Sequence, residues 1–175
     1  MNEIKLDGYC GLYCGACDIY RLSEKGRQSG VKAKWEEMPG QFKKAIKESD
    51  IVCHGCKSDI VFSGCKVCPL VKCAKKKGVE NCALCAKYPC FLIKMMHIVV
   101  RLRTLDKKLP HTAARKPNLE FIRQNGLEKF LSEQELAWKC PQCGSRLSWY
   151  LEQCPSCGRG NERYYTSGSR LNNKL

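Results

Sequence analysis

The chain has 175 residues, with 31 Lys and Arg against 17 Asp and Glu, and its formal charge is +14. Hydrophobic residues make up 43%, but that count includes 15 cysteines, which leaves a thin core once thiols are committed elsewhere. One ordinary domain or two small ones fit this length, and a thin core calls for staples from disulfides or metals, so cysteine must carry much of the folding free energy.

Context decides between the two kinds of staple. Met1 to Tyr9 contains Glu3, Lys5 and Asp7 and no apolar run, so no export signal is read there. The most apolar stretch, Phe91 to Leu102, is interrupted by Lys94, His97 and Arg101 and is too short to span a bilayer. Both observations point to a cytoplasmic protein with no membrane partner, in a compartment where thiols stay reduced. The odd number of cysteines and the repeated Cys-x-x-Cys pairs also favour metal. Each four-thiolate zinc site carries a net −2, so three of them would leave a charge of about +8. A surface that stays basic suits single-stranded nucleic acid or an acidic protein partner.

In chain order, Cys10, Cys14 and Cys17 come first, as C-x3-C-x2-C with only three ligands. Three thiolates either leave an open coordination position, where metal chemistry happens, or are closed by a fourth ligand such as His54, His97, another cysteine or a carboxylate. The same spacing marks the cluster of radical S-adenosylmethionine enzymes, but the βα alternation of their barrel does not follow Cys17. Cys17 to Lys25 reads as a short helix ended by Gly26, and Phe42 to Lys47 as another.

Cys53-x2-Cys56-x8-Cys65-x2-Cys68 has the spacing of a four-cysteine finger, and Cys73-x8-Cys82-x2-Cys85-x4-Cys90 supplies four more ligands. Interleaved sites would use the same pairs differently. Cys65 to Cys73 and Cys82 to Cys90 repeat one C-x2-C-x4-C pattern at an offset of seventeen residues, which reads as a duplicated knuckle. Zinc and iron–sulfur clusters both suit these soft thiolates, and the ferredoxin run C-x2-C-x2-C-x3-C-P is absent. His54, between Cys53 and Cys56, is too constrained to ligate with them.

Pro89 suits the first turn of a helix whose apolar stripe, Phe91, Met95, Ile98, Leu102 and Leu105, is expected to face the core, with His97 a core histidine. Residues 105–117 hold Pro110 and Pro117 among mostly polar residues and read as a basic linker, with His111 solvated. Asn118 is placed to cap a helix that runs to Gln124 and stops at Gly126. Ser132 and Glu135 form a capping box for a further turn leading to Trp138.

Cys140-Pro-Gln-Cys143-Gly and Cys154-Pro-Ser-Cys157-Gly, ten residues apart, read as the two knuckles of a zinc ribbon closed to substrate. Arg146, Leu147, Trp149 and Tyr150 lie where its strands would be. Trp149 and Tyr150 read either as base-stacking platforms or as cover for a site too small to have its own core. Lys75, Lys76 and Lys77, and the group Arg101, Arg103, Lys107 and Lys108, are solvated faces or parts of a binding surface.

The expected architecture is a small, metal-stapled α+β protein. Residues 1–104 form a cysteine-rich module of short helices and knuckles, 105–117 a linker, 118–162 a helical connector with a β zinc ribbon, and 163–175 a polar tail.

Tyr9-Cys-Gly-Leu-Tyr-Cys-Gly-Ala-Cys17, Cys53-His-Gly-Cys56, Cys65-Lys-Val-Cys68 with Cys73-Ala, and Gly78-Val-Glu-Asn-Cys82-Ala-Leu-Cys85 with Tyr88-Pro-Cys90 resemble the cysteine-rich family catalogued as domain of unknown function 3795, over about residues 6 to 100. The ribbon looks like a module appended to it. That resemblance implies metal binding and a cytoplasmic setting, and assigns no activity. The combined reading is a metal-binding protein, zinc in the ribbon and zinc or an iron–sulfur cluster in the N-terminal module, acting as a nucleic-acid or protein binding module rather than an enzyme. The alternative is an iron–sulfur redox or metal-dependent enzyme with an open site at Cys10, Cys14 and Cys17.

Overall fold

The computed structural model describes residues 4–102 and 105–165. Its first helix, α1 (Asp18–Ser29), carries Asp18 in its first turn, where a carboxylate complements the helix dipole, and turns Ile19 and Leu22 into the core. The helix runs through Gly26, the expected stop, and ends at Gly30 with φ 71°. Gly26 serves close packing instead: a Cβ there would lie 3.1 Å from the Val31 carbonyl of the returning chain.

A short helix, α2 (Gly40–Ala45), stands two residues ahead of the expected one and buries Phe42. Two helices follow that were read as knuckles, α3 (Ser63–Lys66) and α4 (Pro69–Lys77). Pro69 in the first turn and left-handed Gly78 bracket α4, the usual asymmetry of proline at the start and glycine past the end. The second copy of the repeat instead forms a 3-10 turn, Cys82–Leu84, before α5 (Phe91–Leu102). The repeat is one of ligand spacing, not of local fold.

The face of α5 corrects a sequence expectation. Phe91, Ile98 and Leu102 are 77%, 48% and 77% exposed, while Ile93 and Val100, on the opposite side, are buried. The helix is apolar almost all round, so periodicity alone did not choose its core face. The Leu105 side chain, Arg103 and residues 166–175 of the expected tail lie outside the described residues.

The expected linker is folded. It forms α6 (Leu105–Lys108), a 3-10 turn (Pro110–Ala114) and the start of α7 (Arg115–Asn125), with Pro110, His111 and Thr112 buried. Pro117 falls in the first turn of α7, where its missing N–H costs nothing. Asn118 therefore lies inside the helix, and its amide donates to Gly11 O at 2.8 Å instead of capping. Gly126 stops α7 as expected and leads into α8 (Leu127–Ala137). Ser132 and Glu135 are interior to α8, and the Ser132 hydroxyl bonds back to Lys129 O.

Among the described residues, β structure is limited to three isolated bridges, Asp7–Tyr13, Lys139–Arg146 and Gln153–Gly160. The protein is helix-rich, not α+β, and the expected ribbon strands are not formed. The backbone between the two knuckles is spent elsewhere: Leu147 N–H bonds Trp138 O at 2.8 Å, and Trp149 N–H bonds Ala16 O at 2.9 Å. One continuous cluster of buried residues joins Leu22, Leu70, Ile93, Ile122, Phe130 and Trp149, on both sides of residues 105–117. No described helix is long and apolar enough to cross a membrane.

His111, expected in solvent, is sealed in this core. Its ring stacks on Trp149 with centroids 3.9 Å apart, and Nδ1 lies 2.5 Å from the Tyr150 hydroxyl. Burial, helped by Arg115, holds its pKa well below the ordinary value, so the ring is neutral. The Tyr150 hydroxyl, itself kept protonated by burial, then donates to Nδ1. An unfolded histidine takes up a proton near pH 6.5 and this one does not, so stability is lost as pH falls below that value, by at most about 1.4 kcal/mol per pH unit. His111→Phe keeps the stacking and removes the titration. The stability gap between wild type and this variant, from urea unfolding at fixed metal load, should shrink steadily between pH 7 and pH 5. A gap independent of pH would contradict a buried neutral His111.

Candidate metal centres

The C-terminal knuckles are closed turns. Gly144 and Gly158, at φ 73° and 75°, place their N–H groups on Cys140 O and Cys154 O at 2.8 and 2.9 Å. Sulfur pairs Cys140–Cys157 and Cys143–Cys154 stand 3.6 and 3.5 Å apart. A tetrahedral ion with zinc–sulfur bonds of about 2.3 Å needs sulfur–sulfur edges of about 3.8 Å, so the four fit one such ion. All four ligand atoms lie within 4.8 Å of one another, and among the described residues this is the only group of three or more cysteine, histidine or carboxylate ligands to do so.

The electrostatics of this group favour thiolate on one side. The Ser145 hydroxyl and N–H lower Cys143 to about 6, and the Cys143 N–H lowers Cys140. Cys157 goes the other way: the Arg159 N–H favours its thiolate, but burial and the neighbouring sulfurs push it up to about 12. Four sulfurs this close cannot all ionise without a cation between them.

One contact among the N-terminal cysteines crosses the groups read from the sequence. The Cys14 and Cys56 thiols hydrogen-bond to each other, which lowers Cys56 to about 7 and raises Cys14 well above the ordinary thiol range. Burial raises Cys17, with Cys53 and Cys65 adding to it. A Cβ on Gly8 would sit 3.7 Å from both Cys10 Sγ and Cys56 Sγ. Backbone N–H groups of Leu12, Tyr9 and Tyr20 point at Cys10, Cys56 and Cys17, and Gly55 N–H reaches Cys53 Sγ at 3.4 Å. The Cys14–Cys56 contact brings the first and second of the groups read from the sequence together.

Cys73, Cys82, Cys85 and Cys90 form a second set that lines a cavity of about 20 Å³. Burial and the neighbouring Cys10, Cys90, Cys73 and Cys85 push the Cys82 thiol up to about 12. None of the three histidines joins a cysteine group within ligand distance.

Trp149 and Tyr150 are buried at 6% and 7% exposure, so they cover the knuckles and present no ring face to a base. The residues around them were not legible in advance. Ser148, fully buried, donates to Asp18 Oδ1 at 2.6 Å and accepts from Arg21 Nε at 3.2 Å. Burial raises the Asp18 carboxyl to about 6 even against those partners. Arg146 pairs with Glu24 at 3.5 Å and reaches Tyr13 and Gly15 O. The last cysteine motif is thereby clamped onto the first.

With this geometry in place, residues 6–95, just over half of the chain, match the family model described as "Protein of unknown function (DUF3795)". The chain belongs to that family. The match takes in all eleven N-terminal cysteines and ends before the paired C-terminal knuckles. No curated protein and no solved structure matches this chain.

Two variants of this DUF3795 protein separate metal binding from docking. Cys140→Ser/Cys143→Ser should lose one metal equivalent by elemental analysis and leave the N-terminal metals in place, and unchanged metal content would sink the assignment. Gly15→Ala strains the clamp and leaves the C-terminal knuckles untouched, because a Cβ at Gly15 would lie 2.4 Å from the buried Tyr13 ring and 2.6 Å from Arg146 Nη1. It should keep the metal of the C-terminal knuckles, cost about 1–3 kcal/mol as overpacking does, and speed proteolysis between Lys139 and Arg163. Wild-type protease resistance in Gly15→Ala would show that the clamp tolerates the extra atom.

Proposed function

We propose that this protein is a metal-stapled binding module, not an enzyme, whose helix α5 docks an acidic, amphipathic segment of a protein partner. The carrying observation is the solvent exposure of Phe91, Ile98 and Leu102, which fall on one side of α5 at 4-3-4 spacing with half-buried Met95. A helix that is apolar on both sides normally has something on each. In this reading the paired C-terminal knuckles hold one zinc as a closed structural site, and the metals fix the platform that presents α5.

Charge selects the occupant. Lys94 and Arg101, both exposed, flank the apolar stripe, and exposed Lys87 precedes it. A second copy of the chain would bring this positive rim against itself, whereas glutamate and aspartate beside a partner's leucines would complement it. Nucleic acid would satisfy the lysines but leave the aliphatic stripe uncovered, and the two aromatic residues best suited to stacking are buried.

The test uses a synthetic helical peptide with leucine on one face and glutamate on its flanks, a single-stranded oligonucleotide, and sedimentation of the protein alone. Peptide binding should weaken tenfold or more in Phe91→Ser/Leu102→Ser, since burying each such side chain is worth about 1.5–3 kcal/mol. It should also weaken with added salt and in Lys94→Glu/Arg101→Glu. Helix content and metal load should not change, because these positions are exposed. Oligonucleotide binding that vanishes in Lys75→Ser/Lys76→Ser/Lys77→Ser while the peptide is ignored would replace this reading with nucleic-acid binding. A dimer that Phe91→Ser dissolves would replace it with self-association.

A further inference from the structure

Helix α7 lies beyond residues 6–95, yet its polar side chains reach three of the cysteine-bearing loops inside them. Asn118 donates to Gly11 O at 2.8 Å, next to Cys10. Arg123 reaches Ala83 O at 3.4 Å, between Cys82 and Cys85. Glu120 accepts from the Tyr88 hydroxyl at 2.9 Å, between Cys85 and Cys90. The chain passes so close at Gly11 that a Cβ there would lie 2.9 Å from Arg115 O and 2.8 Å from the Leu119 side chain.

One side chain of this helix is left unpaired. Nε and Nη1 of Arg115 are buried with no hydrogen-bond partner among the described residues, and none of the ion pairs found there includes it. A buried guanidinium without partners is costly, and native structures rarely keep one. Arg115 acts on His97, His111 and Cys10. It opposes a charge on both histidines, whereas at Cys10 it favours the thiolate, against the burial that holds that thiol protonated. Cys10 in turn stands near Cys56, since a Cβ on Gly8 would lie 3.7 Å from both sulfurs. Cys56 is itself hydrogen-bonded to Cys14. A neutral thiol is a weak acceptor, but a thiolate on a metal is a charged one. It is the anion that the orphaned guanidinium donors lack.

We propose that Cys10 is a metal ligand and that Arg115, from Nε and Nη1, donates to its metal-bound sulfur and so holds that metal in place. Binding breaks the Cys10 S–H bond, forms one sulfur–metal bond and releases the proton to solvent. Arg115 is a positioning residue, because it acts on the metal only through Cys10. The N-terminal metal is thereby tied to a helix that lies outside the family-matched segment. The inference is independent of α5 docking. It holds for zinc and for an iron–sulfur cluster alike, since either binds cysteine as the thiolate.

The experiment sets full-length, metal-loaded protein against a competing chelator, with the C-terminal metal identified through Cys140→Ser/Cys143→Ser. Arg115→Met keeps an aliphatic stem and removes the charge and the donors. It should hold the N-terminal metal about tenfold less tightly or worse, as loss of a ligand's outer partner does, and leave the C-terminal metal unchanged. Cobalt loaded into the Cys140→Ser/Cys143→Ser background gives a signature that a purely structural role would not move. The thiolate-to-cobalt charge-transfer band should shift to lower energy in Arg115→Met, because a sulfur without donors gives up charge more easily. Wild-type affinity or an unmoved band overturns the proposal. So does a Cys10 that alkylates in metal-loaded wild-type protein before chelation, as mapped by mass spectrometry. Where Arg115→Met loses helix content, Arg115→Lys decides. It keeps a cation without the planar fork, and wild-type affinity there overturns the proposal as well.

Discussion

Ser148 has no exposed surface, donates to Asp18 at 2.6 Å and accepts from Arg21 at 3.2 Å, while the next residue, Trp149, bonds Ala16 O through its N–H. This seam joins the segment between the last two cysteine pairs to the helix that follows the first three cysteines. Trp149 in turn carries His111, and His111 is the centre of the stretch that connects α5 and α6 to α7. A loosened seam would expose a buried serine, a buried carboxylate and a neutral histidine together. Asp18 Oδ2 is already buried without a partner, so losing the Ser148 bond to Oδ1 would leave the whole carboxyl unsatisfied, and the seam is held as a unit.

The cysteines add a second constraint of the same kind. Burial and neighbouring thiols hold Cys65 and Cys82 protonated, and Cys14 and Cys157 resist ionisation too, while a thiol whose strongest partner donates to its sulfur ionises more readily. Cys56 and Cys143 are the clearest of the latter. Such alternation is poised for a cation: the first thiolates attract it, and its charge then makes ionisation of the rest favourable. Metal binding and folding are thus linked, but the continuous apolar core means that metal does not act alone. The composition made the core look thinner than it is, because it could not show that the expected linker contributes buried residues.

Local rules read well wherever a residue acts on its own neighbours. Gly126 ends α7, and the Cys-Pro-x-Cys-Gly pairs close one four-sulfur group, because backbone conformation and ligand spacing are properties of a few consecutive residues. Failures came where a distant partner decides. Asn118 looked like a cap and is bonded to Gly11, more than a hundred residues away in sequence. His111 looked solvated because its neighbours in sequence are polar, and its neighbours in space are Trp149, Tyr150 and Phe42. The approach of Cys14 to Cys56 was illegible for the same reason, since no spacing rule spans the gap between them.

Helix α5 joins the cysteine-rich region to the proposed docking face. Cys90 sits directly before its first residue, Ile93 and Val100 anchor it to the core, and Phe91, Ile98 and Leu102 face outward. Leu92 and Met96 pack against the core as well, and the Lys94 N–H bonds Cys90 O at 3.1 Å, so the first turn is held from several sides. A metal ion on Cys90 would add a restraint one residue from Phe91. Linkage works in both directions, so in that reading whatever favours the metal-bound form of α5 would also strengthen docking to it.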